Sequence, residues 1–350
     1  MAGFGRVRSA LFLPCVLLLT ACANGGGSGG SKLVLDDEGG SEGGSPPGDA
    51  TTDTHVMTTT DGGDAGSVTS ATKACADNAS AYCAQLEMCA PFLVTVQYPA
   101  DPTPTSACVT QMTLACADLL AAPGTGWTGD VLEACVKART ALDCNTFLNG
   151  KPLPKACLVT GQIITSDPCR YDGQCGSGYC RYAPGASCGN CVTLGETGAP
   201  CTSSLDCDGN LICTAPTAGT CQPPSAAEVT CGATIPCQQG LVCLNALCAQ
   251  PGGLGATCSS KNDSADCDYD QGVYCDGTAM ACVAVAVAGT GGACAAPAPA
   301  CGGGGTCYDS ACVAPAQDGG TCAPTTGVNC LYPQTCQSGT CGLYAASQCK

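Results

Sequence analysis

The sequence predicts a small disulfide-tied α-helical domain, followed by small disulfide-rich modules of short antiparallel strands and turns. Three observations support this fold class. The 350 residues include 36 cysteines, a density typical of disulfide scaffolds formed in an oxidising compartment. One Trp and four Phe are too few for a single large core, which favours small stapled units. Finally, the composition changes along the chain, from Ala- and Leu-containing stretches to Gly-, Pro- and Asp-rich stretches.

Residues 1–21 have the features of an export signal. Two arginines precede the apolar run ALFLPCVLLLTA, which is shorter than the roughly 20 apolar residues that span a bilayer. The sequence LTAC that ends at Cys22 resembles a bacterial lipobox, which implies cleavage before Cys22 and a diacylglycerol on its thiol. The alternative is an ordinary signal cut after Ala23, because ACA also fits the small-x-small rule. We therefore expect a lipid-anchored protein of the bacterial outer membrane or cell surface, with a secreted protein as the alternative.

Residues 22–72 are predicted to form a disordered tether, because Gly, Ser, Thr and Asp dominate this stretch and no cysteine follows Cys22 within it. The only histidine of the chain, His55, lies here, which argues against a hydrolase that needs a positioned imidazole base. Removal of residues 1–21 takes away two arginines and no acid, so the net charge changes from −16 to about −18. Such a charge disfavours nucleic-acid binding.

Residues 73–160 contain helix start and stop signals that predict three or four short helices. Cys75 and Cys83 are eight residues apart, as are Cys108 and Cys116, so each pair lies along one side of its helix. Antiparallel packing would then allow a ladder in which Cys75 bonds Cys116 and Cys83 bonds Cys108. The remaining cysteines of this region would tie on the later helices: Cys89, Cys135, Cys144 and Cys157.

Residues 165–350 contain a repeat of cysteine blocks that begin near residues 169, 201, 231, 258, 294 and 322. A glycine stands three residues before the opening cysteine in GAPC, GATC, GGAC and GGTC. Each unit is too small to bury a core, so its disulfides must hold it together. The first block has five cysteines and Cys349 follows the last block, so at least one bridge must leave its own block. The spacing does not decide between a rigid rod and a loose chain.

The stretch DPCRYDGQCGSGYCRYAPGASCGNCV holds the five cysteines of the first block: Cys169, Cys175, Cys180, Cys188 and Cys191. It resembles the opening of the Dickkopf N-terminal cysteine-rich region over roughly residues 165–221, and the whole chain resembles the cysteine-rich lipoproteins of myxobacteria that carry this region. The adjacent Cys-Cys pair of the animal region is missing, and the later blocks fit loosely. The resemblance implies a shared way of stapling, not a shared partner, since Dickkopf proteins antagonise an animal receptor.

The sequence CGNC at Cys188 and Cys191 is the sole Cys-x-x-Cys motif. It could be a redox pair or half of a zinc site, but a zinc site of this kind needs a second pair, and a redox motif is expected in a βαβ context. Ordinary disulfide partners are the favoured interpretation.

The acidic stretch NDSADCDYDQG, with alternating Asp266, Asp268 and Asp270, suggests a calcium loop. Its glycine and its final acid do not fall at the positions that an EF-hand requires, so a solvated acidic turn is favoured.

Three tyrosines, Tyr171, Tyr179 and Tyr182, cluster in the first block. They could form a binding face, since tyrosine stacks on sugars and anchors protein partners. Cover for a disulfide is the favoured interpretation, because small domains have little else to bury.

Together these features predict a non-enzymatic surface lipoprotein in adhesion, recognition or surface structure. It would contact the membrane through its lipid, bind a protein or glycan, and need no cofactor. One alternative is a secreted protease inhibitor that uses the loop RYAPGAS, residues 181–187. A disulfide oxidoreductase at CGNC is a further alternative.

Overall fold

The computed structural model describes residues 69–149, 153–183, 186–215, 218–232, 235, 237–238, 240–258, 266–295 and 299–349. The predicted signal, the lipidation candidate Cys22 and most of the predicted tether lie outside these residues.

The first part of the described chain is helical. Five α-helices occur among its residues: α1 (Ala71–Cys89), α2 (Pro91–Gln97), α3 (Pro104–Ala121), α4 (Gly129–Arg139) and α5 (Cys144–Asn149). The side chains of Ser70, Thr103 and Thr128 cap α1, α3 and α4 by accepting a hydrogen bond from an N–H in the first turn. The described residues thus contain five helices where three or four were predicted. Helix α2 begins only one residue after α1 ends, so the two form one continuous segment in the sequence pattern. Helix α1 also begins inside the range predicted as tether.

Helices α1 and α3 are joined by the predicted ladder. Cys75 bonds Cys116 and Cys83 bonds Cys108, as the eight-residue spacing requires for antiparallel helices. Bridge Cys89–Cys144 attaches α5 to α1, and bridge Cys135–Cys157 attaches the short turn Lys155–Cys157, which follows α5, to α4. Between the helices lies a hydrophobic core of large side chains, among them Leu86, Leu93, Met112, Leu119 and Phe147.

The rest of the chain consists of six modules, numbered 1 to 6, which open at Cys169, Cys201, Cys231, Cys258, Cys294 and Cys322. Each holds a short antiparallel strand pair. The strands are β1 (Pro168–Cys169), β2 (Cys180–Tyr182) and β3 (Gly189–Cys191) in module 1; β4 (Pro200–Cys201), β5 (Ile212–Cys213) and β6 (Gly219–Gln222) in module 2; β7 (Val242–Leu244) and β8 (Leu247–Ala249) in module 3; β9 (Val273–Asp276) and β10 (Ala281–Ala284) in module 4; β11 (Val287–Ala288), β12 (Ala300–Cys301), β13 (Thr306–Tyr308) and β14 (Ala311–Val313) in module 5; β15 (Thr335–Gln337) and β16 (Thr340–Gly342) in module 6. Strands β11 and β12 form a parallel pair.

All six modules share one disulfide pattern. The first cysteine bonds the third and the second bonds the fourth, where Cys188 is left out of the count in module 1. The third and fourth cysteines are direct partners across the strand pair, for example Cys180 opposite Cys191. Because directly opposed residues of a sheet share a face, these two sulfurs fasten the first and second cysteines to the same side of the strands.

The position three residues before each opening cysteine explains the repeated glycine. In every module its N–H donates to the carbonyl of the fourth cysteine, as Gly255 does to Cys282 at 2.8 Å. The backbone there has a positive φ, +82° at Gly255, which glycine adopts at little cost. Ser166 and Glu228 hold this conformation in modules 1 and 3.

The modules do not extend away from the helices as a string. Among the described residues, contacts with the helical domain are made by Gly173 on Gly126, Gly240 on Asn145, Gln271 on the carbonyl of Cys89 and Gly304 on the carbonyl of Val96, while Ala346, after module 6, lies in the core of the helices. The predicted bridge out of its own block is Cys188–Cys349, which joins module 1 to the end of the chain after module 6. The array is therefore closed by a covalent bond and packed on the helices.

Candidate functional site

A cleft of about 290 Å³ opens where the helical domain, module 1 and module 2 meet. We call it the junction cleft. Its lining is mostly apolar and comes from four segments of the chain: Leu119, Trp127, Arg139, Leu153, Cys157, Leu158, Val159, Thr160, Tyr171, Asp172, Gly173, Ser177, Gly178, Tyr179, Leu194, Leu205 and Asp208.

The first wall joins the helical domain to module 1. Tyr171 is buried, and its hydroxyl donates to the carboxylate of Asp118 on α3. Trp127 packs on Gly173, where an added Cβ would lie 2.3 Å from the indole ring. Only a residue without a side chain allows this approach, so the glycine at 173 fixes the position of the indole beside the cleft.

The second wall is the segment that leads from the helices into the modules. Leu153, Leu158 and Val159 line it, and the bridge Cys135–Cys157 ties it to α4. Leu158 is 63% exposed, so it extends the apolar surface of the cleft to its rim.

The third wall depends on a buried carboxylate between modules 1 and 2. Asp206 is 2% exposed and forms an ion pair with Nε of Arg181 at 3.0 Å. It also accepts hydrogen bonds from the N–H groups of Thr202 and Ser203 and from the Tyr179 hydroxyl. Burial alone would raise the pKa of Asp206, but the Thr202 hydrogen bonds and the Arg181 charge lower it below its usual value. Leu194 and Leu205, next to this network in the chain, line the cleft from module 2.

The charges along the cleft are unequal. Asp172 and Asp208 supply two carboxylates, whereas Arg139 is the one base among the described lining residues. The Arg139 guanidinium is buried and donates to Oδ1 of Asn78 and to Sγ of Cys135, both at 3.4 Å. Burial lowers the pKa of Arg139 to about 10. Asp208 is thus the exposed charge of the lining, whereas Asp172 is half-buried and accepts the N–H of Cys180.

The three tyrosines of the first block do not form an exposed binding face. Tyr171 and Tyr179 are buried, and the Tyr182 hydroxyl donates to the carbonyl of Arg170. Burial raises the pKa of each of the three well above its usual value. Tyr171 and Tyr179 bond Asp118 and Asp206 in the neighbouring units, whereas Tyr182 bonds within module 1. A role of the tyrosines in binding stays a prediction. Tyr171 and Tyr179 nevertheless line the junction cleft.

The CGNC motif does not form a redox pair. Cys188 bonds Cys349 and Cys191 bonds Cys175. The two cysteines of the motif therefore do not form with each other the disulfide that a Cys-x-x-Cys redox site uses. Seventeen bridges pair all 34 cysteines in the described part of the chain, and a disulfide sulfur is not the thiolate that binds zinc. Groups of three neighbouring cysteines, such as Cys169, Cys175 and Cys191, are crossing bridges.

The acidic stretch in module 4 repeats a structural position. Asp266 directly precedes the second cysteine of its module, as Gln174 and Asp206 do in modules 1 and 2. In those modules the side chain accepts N–H groups of the turn after the first cysteine. Asp268 and Asp270 are half-buried, and burial raises the pKa of each.

Part of the loop proposed for protease inhibition belongs to a strand. Arg181 and Tyr182 belong to β2, and their polar groups bind Asp206 and the carbonyl of Arg170. Only residues 183–187 remain as a connecting loop, and residues 184 and 185 lie outside the described part of the chain.

No protein-family model matches the chain, and no curated protein or solved structure is significantly similar to it. Among the described residues, no helix has both the length and the hydropathy to cross a bilayer. The full pairing of the described cysteines identifies a disulfide-rich protein of an extracellular or surface compartment.

The sequence pointed to two tyrosines of the cleft, Tyr171 and Tyr179, but not to the leucines that line it with them. Leu119, Leu158 and Leu205 stand in three separate segments, and none belongs to a motif. Trp127, the single Trp of the chain, was the available signal. A lone indole in a protein with few aromatic residues usually has a packing or binding role.

Proposed function

We propose that this chain is a lipid-anchored surface protein that recognises a ligand through the junction cleft. The observation that carries the proposal is the cleft itself, an apolar concavity whose walls are separately stapled by disulfides. Concave, mostly apolar sites with a few polar groups are the usual form of ligand sites. Because the walls are fixed before binding, less conformational entropy of the protein is lost when a ligand binds.

Anchoring at Cys22 is the second part of the proposal. It is supported by the sequence LTAC and by the Gly/Ser-rich stretch that follows. A flexible coil of about 50 residues has a root-mean-square reach of about 40 Å, which would hold the folded part clear of the lipid headgroups.

The anchor is tested by the intact mass of the protein purified from its native membrane. We expect a chain that starts at Cys22, carries acyl groups and has all of its other thiols oxidised. The matched variant Cys22→Ala should lose its acyl mass and its membrane attachment. An unacylated chain that starts at Asn24 would overturn the anchor and leave a secreted protein.

Recognition is tested with the full mature chain made soluble by Cys22→Ser. The labelled protein should bind saturably to cells of the source organism, and unlabelled protein should compete. Leu158→Arg places a charge at the rim of the cleft and should weaken this binding at least about tenfold. The control Leu254→Arg alters a residue that is 72% exposed in module 4 and should leave it unchanged. Equal binding by both variants would refute recognition through the cleft.

A further inference from the structure

We propose that the junction cleft takes a cationic amine that carries one compact apolar group, such as an aromatic ring or a branched aliphatic chain. This inference rests on the proposed function of the same cleft and names the class of its ligand. It combines the size of the cleft, its apolar walls and the sign of its charges.

The size limits the ligand to a small apolar body. A volume of about 290 Å³ lies at the lower end of the usual range for small-molecule sites, about 300–1,000 Å³. One six-membered ring with a short side chain fills such a space. The same volume admits the end of one large side chain of a partner protein, so a free amine and a basic peptide residue share this chemistry.

The walls favour an apolar group over a sugar. Leucines at five positions, together with Val159, Trp127 and two tyrosines, line the cleft. The hydroxyls of Tyr171 and Tyr179 donate to Asp118 and Asp206, so both are already engaged. A sugar buried here would leave several hydroxyl groups without partners, at a cost of about 1–3 kcal/mol for each.

The charges favour a cation over an anion. Asp172 and Asp208 line the cleft, and Asp208 is exposed at its open side. Arg139, the one base among the described lining residues, is buried, and its guanidinium donates to Asn78 and Cys135. The whole chain has 28 acidic against 12 basic residues, and this excess attracts cations and repels anions.

Asp208 is the carboxylate that an amine in the cleft can reach, because this residue is exposed. Asp172 is half-buried and accepts a hydrogen bond from the N–H of Cys180. The amine would thus bind beside Asp208, with its apolar group against the leucines of the walls.

The test uses three probes of similar shape on the soluble mature chain: phenethylamine, 2-phenylethanol and phenylacetate. The readout is the fluorescence of Trp127, which lines the cleft and is the single Trp of the chain. We expect a saturable change with phenethylamine at millimolar concentration and about tenfold weaker binding of 2-phenylethanol. Phenylacetate should bind weakest of the three. Added salt should weaken phenethylamine binding and leave that of 2-phenylethanol unchanged.

Two variants separate charge from apolar contact. Asp208→Asn should weaken phenethylamine about three- to tenfold without affecting 2-phenylethanol, whereas Leu158→Ser should weaken both. Matched controls are Asp318→Asn and Leu254→Ser, which change exposed residues of modules 6 and 4 and should have no effect.

Each outcome bears on one proposal. Equal binding of the cation and the alcohol, or tightest binding of phenylacetate, would overturn the cationic class while recognition through the cleft stands. No response of Trp127 to any probe would also overturn it. Cell binding that Leu158→Arg does not weaken would overturn the proposed function, whatever the probes show.

Discussion

The helical domain and the modules use disulfides for different purposes. In the helical domain, four bridges join helices that already enclose a core of Leu, Phe, Tyr and Met side chains. In module 1, the buried cluster consists of Cys169, Cys175, Cys180 and Cys191, so the sulfurs themselves are the core. The comparison shows two roles for the same covalent bond. In the helical domain, disulfides add stability to a core of apolar side chains. In the modules, which bury few apolar side chains, disulfides are the main stabilising contact.

The largest expected effect comes from removing one bridge in each region. The double variant Cys294→Ser/Cys307→Ser should abolish the structure of module 5, because little else there is buried. The matched variant Cys83→Ala/Cys108→Ala should lower the free energy of unfolding by about 2–4 kcal/mol and leave the helices folded. Hydrogen exchange followed by mass spectrometry would measure both. Protected amides in the strands of module 5 after bridge removal would contradict the distinction.

The next effect concerns the buried carboxylate that joins modules 1 and 2. Asp206→Asn keeps the shape of the side chain but removes the charge that Arg181 and four other donor contacts require. We therefore expect a loss of about 3–5 kcal/mol in local stability. The pKa of Asp206 is lower in the folded protein, so its contribution is present above about pH 4 and is lost as the pH falls through the folded value.

Unfolding of module 2, followed by hydrogen exchange between pH 2 and pH 7, would measure this contribution. The control Asp208→Asn changes an exposed carboxylate two residues away and should shift stability by less than about 0.5 kcal/mol. Equal effects of the two variants would show that the buried network does not hold the modules together.

A smaller effect should appear in the helical core at alkaline pH. Burial raises the pKa of Tyr82 to about 12, whereas an unfolded tyrosine ionises near 10. The folded state therefore holds the proton longer, and stability present below about pH 10 is lost as the pH rises towards 12, by about 2–3 kcal/mol. Arg139 acts in the opposite direction, because burial lowers its pKa to about 10 and release of its proton removes a buried charge.

Circular dichroism and tyrosine absorbance between pH 7 and pH 12 would follow this transition. Tyr82→Phe removes one ionising group and should reduce the alkaline decline in helix content, while the part caused by other buried tyrosines of the core, such as Tyr98, remains. An unchanged decline would assign it to other groups.

The smallest effect concerns the repeated glycine of the modules. Neither Gly255 nor Gly253 would meet another atom within 4 Å through an added Cβ, but only Gly255 has a positive φ, +82°. Gly255→Ala should therefore cost about 1–2 kcal/mol, and Gly253→Ala should be neutral or slightly stabilising. Thermal unfolding of the two single variants provides the comparison. Equal losses would mean that backbone conformation is not the reason for the glycine.

Much of the fold could be predicted because cysteine spacing reports geometry directly. The eight-residue spacing on α1 and α3 indicated the two rungs Cys75–Cys116 and Cys83–Cys108, and the repeat of blocks indicated the modules. The junction cleft could not be predicted, because its walls meet only after the modules pack on the helices. Burial of the tyrosines likewise depends on partners such as Asp118 and Asp206, which lie in other elements.

The sequence by itself determined the disulfide-rich fold class, the helical ladder, the six modules and the need for a bridge between blocks. These features depend on local spacing, which fixes helix faces, turns and the count of cysteines. Only the tertiary structure decided that Cys188 bonds Cys349, that the modules fold back on the helices, and that an acidic, apolar cleft lies where they meet. Such features depend on contacts between residues far apart in the chain, and spacing along the sequence carries no information about which of the many possible long-range partners will pack together.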